Sequence, residues 1–226
     1  MPTVLFDIDG TLINSGGAGT RAMARTAGQL LGVSGIPPIP VHGRTDYAIF
    51  QDLLAALEIA FEPAYEDWRL HYHRWLEHEL CVGDAIRPVR LPGVEGLLQR
   101  MTEHNWQAAI VTGNSQEAAH LKLRAVGLEN SFVAGGYGDW TGCRNHLARV
   151  AVEACQSAIP EFCVRNSVMI GDTVHDVNCA RSVNMAAIAV TTGGGTRAQL
   201  KDAGAVLVVD SLSELTIERL SAVLNS

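Results

Sequence analysis

The stretch Val4-Leu5-Phe6-Asp7-Ile8-Asp9-Gly10-Thr11-Leu12 decides how the whole chain is read. Val4-Leu5-Phe6 is a short, uncharged, β-prone run, the pattern of a strand buried on both faces of a parallel sheet. Asp7 ends that strand, Asp9 lies in the turn beyond, and Gly10 permits a backbone angle that other residues resist. Two carboxylates at the C-terminal end of a strand in an open α/β sheet stand where such sheets bind ligands. A turn that uses Asp and Gly for conformational reasons alone has the same composition, so the rest of the chain must discriminate.

Working outward, everything after Leu91 alternates between strand and helix patterns. Apolar runs predict strands at 107–111, 132–134, 167–170, 186–190 and 206–209. Helical periodicity predicts helices over 93–104, 115–126, 143–156, 176–183, 196–203 and 212–224, with Ser115 as a cap. This alternation implies an α/β fold, a doubly wound parallel sheet with right-handed crossovers. Between the first strand and this series, helices are expected over 20–31, 45–59 and 63–80, separated by the stiff Ile36-Pro37-Pro38-Ile39-Pro40 connector. Tyr65, Trp68, Tyr72, Trp75, Leu76 and Leu80 recur at three- and four-residue spacing, the mark of a packing stripe. The expected organisation is a core of residues 1–15 and 89–226 with a helical insert over 16–88.

Composition narrows the function. The 226 residues are 47% hydrophobic and 18% charged, which describes a globular chain. A formal net charge of −7 argues against nucleic acid as a partner, since phosphate backbones select basic surfaces. Five cysteines without a CxxC pair favour free thiols over a disulfide framework or a zinc site. No secretory pattern and no apolar run of roughly 20 residues is visible, so the expectation is a cytoplasmic protein with no membrane association.

Two further strand ends carry chemistry. At Val111-Thr112-Gly113-Asn114, a hydroxyl and free backbone N–H groups at a helix start can hold a phosphate oxygen, although an ordinary strand–turn–helix junction reads the same way. At Met169-Ile170-Gly171-Asp172-Thr173-Val174-His175-Asp176, a buried strand again ends in an acid with a second acid four residues on. Asp172 and Asp176 can face one hard cation; helix capping is the structural alternative. Thr192-Gly193-Gly194-Gly195 reads as a flexible loop beside the site.

Asp7-Ile8-Asp9-Gly10-Thr11-Leu12 resembles the first motif, DxDGT, of the haloacid dehalogenase superfamily. Thr112 matches the second motif, and Gly171-Asp172 through Asp176 matches the fourth, GDxxxD. The third motif is commonly a lysine, and none lies between Phe132 and Ser167; Arg144 is the best positional match, ahead of Arg149 and Arg165. The resemblance implies a Rossmann-like core with a small helical cap, and a phosphoglycolate phosphatase-like activity on a small phosphorylated metabolite. It implies Mg²⁺ held by Asp7, the Asp9 carbonyl and Asp172, with Asp176 in support. It further implies Asp7 as nucleophile, Asp9 as acid and base, and Thr112 and Arg144 on the phosphoryl oxygens, with Gly113 and Asn114 beside them. Arg44, in His42-Gly43-Arg44-Thr45-Asp46, is the candidate cap contact with substrate; an exposed arginine at a helix start is the other reading. The chain is expected as a monomer or homodimer. A sugar phosphomutase of the β-phosphoglucomutase type keeps all four motifs and stays open. A 2-haloacid dehalogenase does not need Asp9, and a non-enzymatic binding protein on the same fold would be expected to have lost one of the acids.

Overall fold

The computed structural model describes residues 1–59, 64–81 and 86–225. The elements run β1 (Thr3–Phe6), β2 (Ile13–Asn14), α1 (Ala18–Leu31), α2 (Asp46–Ala56), α3 (Tyr65–Cys81), β3 (Val89–Arg90), α4 (Val94–Glu103), β4 (Gln107–Val111) and α5 (Gln116–Ala125). They continue as β5 (Gly135–Gly136), α6 (Arg144–Ala158), β6 (Ser167–Gly171), α7 (Val174–Ser182), β7 (Ala186–Val190), α8 (Arg197–Asp202), β8 (Leu207–Val209) and α9 (Ile217–Leu224).

Six strands form one parallel sheet in the order β5-β4-β1-β6-β7-β8. β1 is central and wholly buried, as its uncharged sequence requires. Its side chains alternate between two cores. Val4 and Phe6 pack with Leu97 of α4, Leu123 of α5 and Leu220 of α9, whereas Leu5 packs with Leu147 of α6, Val177 of α7 and Leu200 of α8. The result is a helix–sheet–helix sandwich. Phe6 pairs with Ile110 of β4 on one side and Ile170 of β6 on the other, so the residues that follow these three strands emerge at one level.

The insert builds a third core. Ala22 and Met23 of α1, Phe50 and Leu53 of α2, and Trp68, Tyr72 and Leu76 of α3 bury together with Ala118 and Leu121 of α5. The aromatic stripe is therefore packing, with Phe50 5.4 Å from Trp68 and 5.2 Å from Tyr65 between ring centres. α5 serves both units, since Ala119 and Leu123 face the sheet while Ala118 and Leu121 face the insert. The chain leaves and re-enters the sheet unit through the antiparallel β2–β3 pair, Ile13 opposite Arg90.

Four sequence expectations change. The predicted strand at 132–134 moves to Gly135–Gly136, where a Cβ on Gly136 would lie 2.7 Å from the Leu147 carbonyl, so only glycine lets the edge strand approach α6. The predicted helix over 212–224 is a 3₁₀ turn, Leu212–Glu214, followed by α9, whose Thr216 hydroxyl accepts from Arg219 N–H. Helix 45–59 stops at Ala56, and the proposed start of the next helix at Pro63 lies outside the described residues.

The fourth change concerns Ser115. It stands at the start of α5 but its hydroxyl caps nothing; it meets His73 Nε2 at 2.8 Å. The amides that open α5 are satisfied from elsewhere, Ser115 N–H by Asp46 Oδ2 at 2.8 Å and Gln116 N–H by Asp139 Oδ2 at 2.9 Å. Asp46 also donates its own N–H to the Gly113 carbonyl at 2.8 Å, and Arg69 of α3 donates to Asp139 at 2.7 Å. These bonds fasten the insert to the sheet unit beside the end of β4.

Burial pushes the Asp46 carboxyl from its ordinary 3.8 up to about 6, against the opposing pull of Lys122 and the Ser115 bonds. An acid whose native pKa is raised binds its proton more tightly when folded, so stability falls as pH rises from about 4 to about 6 and then levels off. Asp46→Asn keeps an acceptor for Ser115 N–H without the charge. The variant is expected to match the parent near pH 4 and exceed it above pH 6, by at most roughly 3 kcal/mol. Urea unfolding of both proteins across this range checks the sign, and a constant difference between them would refute the assignment.

Candidate active site

Asp7 follows β1, Thr112 follows β4, and Asp172 follows β6, so the sheet register alone sets these groups side by side. The turn after Asp7 folds tightly because Leu12 and Ile13 N–H groups both donate to the Ile8 carbonyl. Gly10 takes φ +79°, and a Cβ there would lie 2.7 Å from Asp172 Oδ2. Gly193 is equally constrained, with a Cβ position 1.9 Å from that same oxygen. The glycine loop after β7 is thus a seat for Asp172, to which Gly194 N–H donates at 2.7 Å.

Asp7, Asp172 and Asp176 are all buried, and one carboxylate oxygen from each lies within 4.8 Å of the other two. Asp176 sits in the first turn of α7 and closes a capping box with Thr173, whose N–H and hydroxyl both donate to Asp176 Oδ2. Its other oxygen accepts from Arg144 Nη2. Capping and cluster membership, alternatives in the sequence, are both real for Asp176. Arg144 opens α6, and the same nitrogen lies 3.4 Å from Asp7 Oδ1. Arg149 and Arg165 are exposed. The buried Arg144 Nε makes no hydrogen bond among the described residues.

The charges do not balance. Burial and the neighbouring Asp176 hold the Asp7 carboxyl well above the usual range, only partly offset by Arg144. Burial and Asp176 push Asp172 up to about 7. Burial opposes the Arg144 charge, but Asp176 and Asp7 outweigh it and raise its pKa further.

Asp9 points away from this cluster. Its Oδ2 accepts from Lys122 Nζ at 2.6 Å and from Asn114 Nδ2 at 2.9 Å, and Oδ1 accepts from Ser15 at 3.2 Å. Burial would raise its pKa, but the charge of Lys122 and these hydrogen bonds prevail and lower it. Asn114 also donates to Thr112 Oγ1 at 2.8 Å and accepts from Lys122 at 2.6 Å. Lys122 is the residue the sequence reading missed. Its signal was its place on α5, in line with Ala118, Ala119 and Leu121 on a face that packs inward.

A cavity of about 460 Å³ lies between this sheet edge and the insert, lined by Asp7, Asp9, Thr112, Lys122, Arg144 and Asp172 among others. Gly113 and Arg44 also line it, and a Cβ on Gly113 would be 2.1 Å from the Arg44 carbonyl. The Arg44 guanidinium pairs with Asp52 at 2.5 Å and is about one-third exposed.

The family model for haloacid dehalogenase-like hydrolases matches residues 4–181. The chain belongs to that family. It is 25% identical to a phosphoglycolate phosphatase of Agrobacterium fabrum over 95% of this chain and 91% of that protein. It is 28% identical, with the same two coverages, to a probable phosphatase, IndB, of Dickeya dadantii. These similarities set it among the phosphatases of the family. In fold it resembles the crystal structure of CbbY from Rhodobacter sphaeroides in complex with phosphate, with a TM-score of 0.73 and 19% identity over 98% of this chain and all of that one. No helix among the described residues is long and apolar enough to cross a membrane.

A hard divalent cation fits the acidic cluster, because all the donors are carboxylate oxygens and one guanidinium cannot balance three of them. A cation must displace the proton that Asp172 retains up to about pH 7. The affinity for a divalent cation, with Mg²⁺ as the probe, is therefore expected to rise by at least about tenfold per pH unit between pH 5.5 and 6.5. Titration calorimetry in two buffers of different protonation enthalpy checks this by counting protons released, and a pH-independent affinity would contradict it.

Proposed function

We propose that the chain is a Mg²⁺-dependent phosphatase that hydrolyses a small phosphomonoester, phosphoglycolate or a close analogue, through an aspartyl-phosphate on Asp7. The observation that carries this reading is the division of labour between the two acids of one turn. Asp7 lies in the acidic cluster beside Arg144, while Asp9 is turned towards Lys122 and Asn114 on the same cavity. The names of the A. fabrum and D. dadantii relatives support the activity.

Asp7, Asp172 and the Asp9 carbonyl would hold the cation, with Asp176 in support. Bound there, Mg²⁺ would supply positive charge that offsets repulsion between the phosphate and an attacking carboxylate. Asp7 attacks phosphorus as the ester P–O bond breaks, and the leaving oxygen takes a proton from Asp9. Asp9 then removes a proton from the water that attacks the aspartyl-phosphate; phosphate leaves and Asp7 is restored. Lys122 and Asn114 lower the Asp9 pKa in the free protein, so the proton it gives in the first step comes from solvent, and the one it takes from water returns there when the free form is restored. Thr112 and the donors of Arg144 that remain unbonded, Nε among them, bind the phosphoryl oxygens as charge spreads. Residues 16–88 act as a cap that excludes water, and Gly113 leaves room for the cap backbone at Arg44. A cavity of this size suits a small metabolite, not a phosphoprotein.

Phosphate release from a panel of phosphomonoesters with Mg²⁺ tests the assignment, and isomerisation of a hexose 1-phosphate without release would identify a mutase instead. Asp7→Asn is expected to abolish turnover with the fold intact, as judged by its melting curve; normal phosphate release by that protein would rule out the covalent route. Arg44, tethered by Asp52, is the cap cation proposed for the substrate's carboxylate. Arg44→Ala is expected to raise KM for phosphoglycolate about tenfold, a loss near 1.4 kcal/mol, and KM for an aryl phosphate much less. Equal effects on both substrates would remove Arg44 from this role.

A further inference from the structure

We propose that Lys122 is a positioning residue for the reaction: with Asn114 it clamps the Asp9 side chain in the orientation from which its carboxyl reaches the leaving oxygen. The inference rests on the reading of Asp9 as acid and base, and it adds a residue outside the four motifs. Three contacts close a ring. Lys122 Nζ donates to Asp9 Oδ2 and to Asn114 Oδ1, each at 2.6 Å, and Asn114 Nδ2 donates back to Asp9 Oδ2 at 2.9 Å. The ring joins the turn after β1, the strand end of β4 and the second turn of α5, and Asn114 ties it to Thr112. Its exposure is graded: the Lys122 side chain is 6% exposed, the Asp9 side chain 40%. The clamp is buried and the clamped acid opens onto the cavity.

A purely structural ion pair is the competing account, and energetics weigh against it. Burying an ammonium costs several kcal/mol of hydration, and well-packed apolar residues usually stabilise such a position as well or better. The neighbours of Lys122 on α5 show that apolar residues pack here, since Ala118, Ala119, Leu121 and Leu123 are all buried. A leucine at 122 would serve packing. A lysine serves a carboxylate that must be held at one spot, as a free Asp side chain samples several rotamers. Asp46, the other acid near Lys122, is already engaged by Ser115 N–H.

Misplacing a general acid hurts most where the leaving group most needs a proton. The experiment compares ethyl phosphate, a poor leaving group, with 4-nitrophenyl phosphate, a good one, in the parent protein and in Lys122→Met and Lys122→Arg. Lys122→Met is expected to lower kcat for ethyl phosphate about 100-fold. The pre-steady-state release of nitrophenol should slow less than about tenfold and become a visible burst, because Asp9 also serves the second step. Lys122→Arg, which keeps charge and reach, should recover at least about tenfold of the loss. Equal slowing of both substrates, or none, overturns the proposal. Where Lys122→Met does not fold, Lys122→Gln makes the same comparison with a neutral donor. A crystal structure of the variant supplies a readout independent of turnover: Asp9 rotated off its present position supports the clamp, and Asp9 unmoved overturns it. If the parent protein hydrolyses no phosphomonoester at all, the phosphatase reading fails, while the crystal structures still decide whether Lys122 sets the orientation of Asp9.

Discussion

Three buried carboxylates within 4.8 Å of one another, with a single guanidinium among them, are the constraint on which the rest of the molecule depends. At that spacing two ionised carboxylates repel by about 3 kcal/mol even at an effective dielectric constant of 20. The sheet sets Asp7 beside Asp172, and the first turn of α7 adds Asp176. With Phe6 level with both Ile110 and Ile170, the residues leaving β1, β4 and β6 have nowhere to diverge. Arg144 relieves part of the repulsion; burial, together with the repulsion that is left, holds the Asp7 and Asp172 carboxyls above their usual range. Such a site holds protons or a hard cation, and the chemistry follows from which of the two is present.

The second constraint is that the site must be covered without being filled. Glycine at positions 10 and 193 brings two loops onto the Asp172 carboxylate, where any side chain would displace it. Cover comes from the insert, fastened by Asp46 and Asp139 to the amides that open α5. Those acids replace the cap that Ser115 does not provide, so one helix end both orients α5 and anchors the insert. Because α5 also carries Lys122, whatever moves the insert against α5 acts on the element that holds Asp9.

The sheet and the acids were legible in the sequence because their causes are local. A buried strand shows as an apolar run, and Asp7, Asp9, Asp172 and Asp176 stand at fixed offsets from strand ends. Arg144 was legible by elimination of lysine, and the structure brings it to Asp7 and Asp176. Lys122 was not, since its partner Asp9 is 113 residues away and a lysine in a helix normally reads as solvated. Ser115 misled for the same reason: capping propensity is local, but the acids that satisfy α5 come from α2 and from the loop before α6. The edge strand was displaced because Phe132-Val133-Ala134 has the β-prone residues, while the close approach to α6 selects Gly135-Gly136. Arg44 reaches the cavity wall, but its pairing with Asp52 had no sequence signature beyond an eight-residue separation across a helix start.

Arginine at position 144, the positional match to the lysine that the family resemblance leads one to expect, suits the site in which it stands. A lysine offers one compact ammonium on a flexible stem and no planar fork of donors. The guanidinium stays charged when buried, and one terminal nitrogen already spans the two acids. Its Nε makes no hydrogen bond among the described residues, and the side chain lines the cavity. Arg144 bridges the two acids through one nitrogen, and on the proposed reading its remaining donors serve the phosphoryl group.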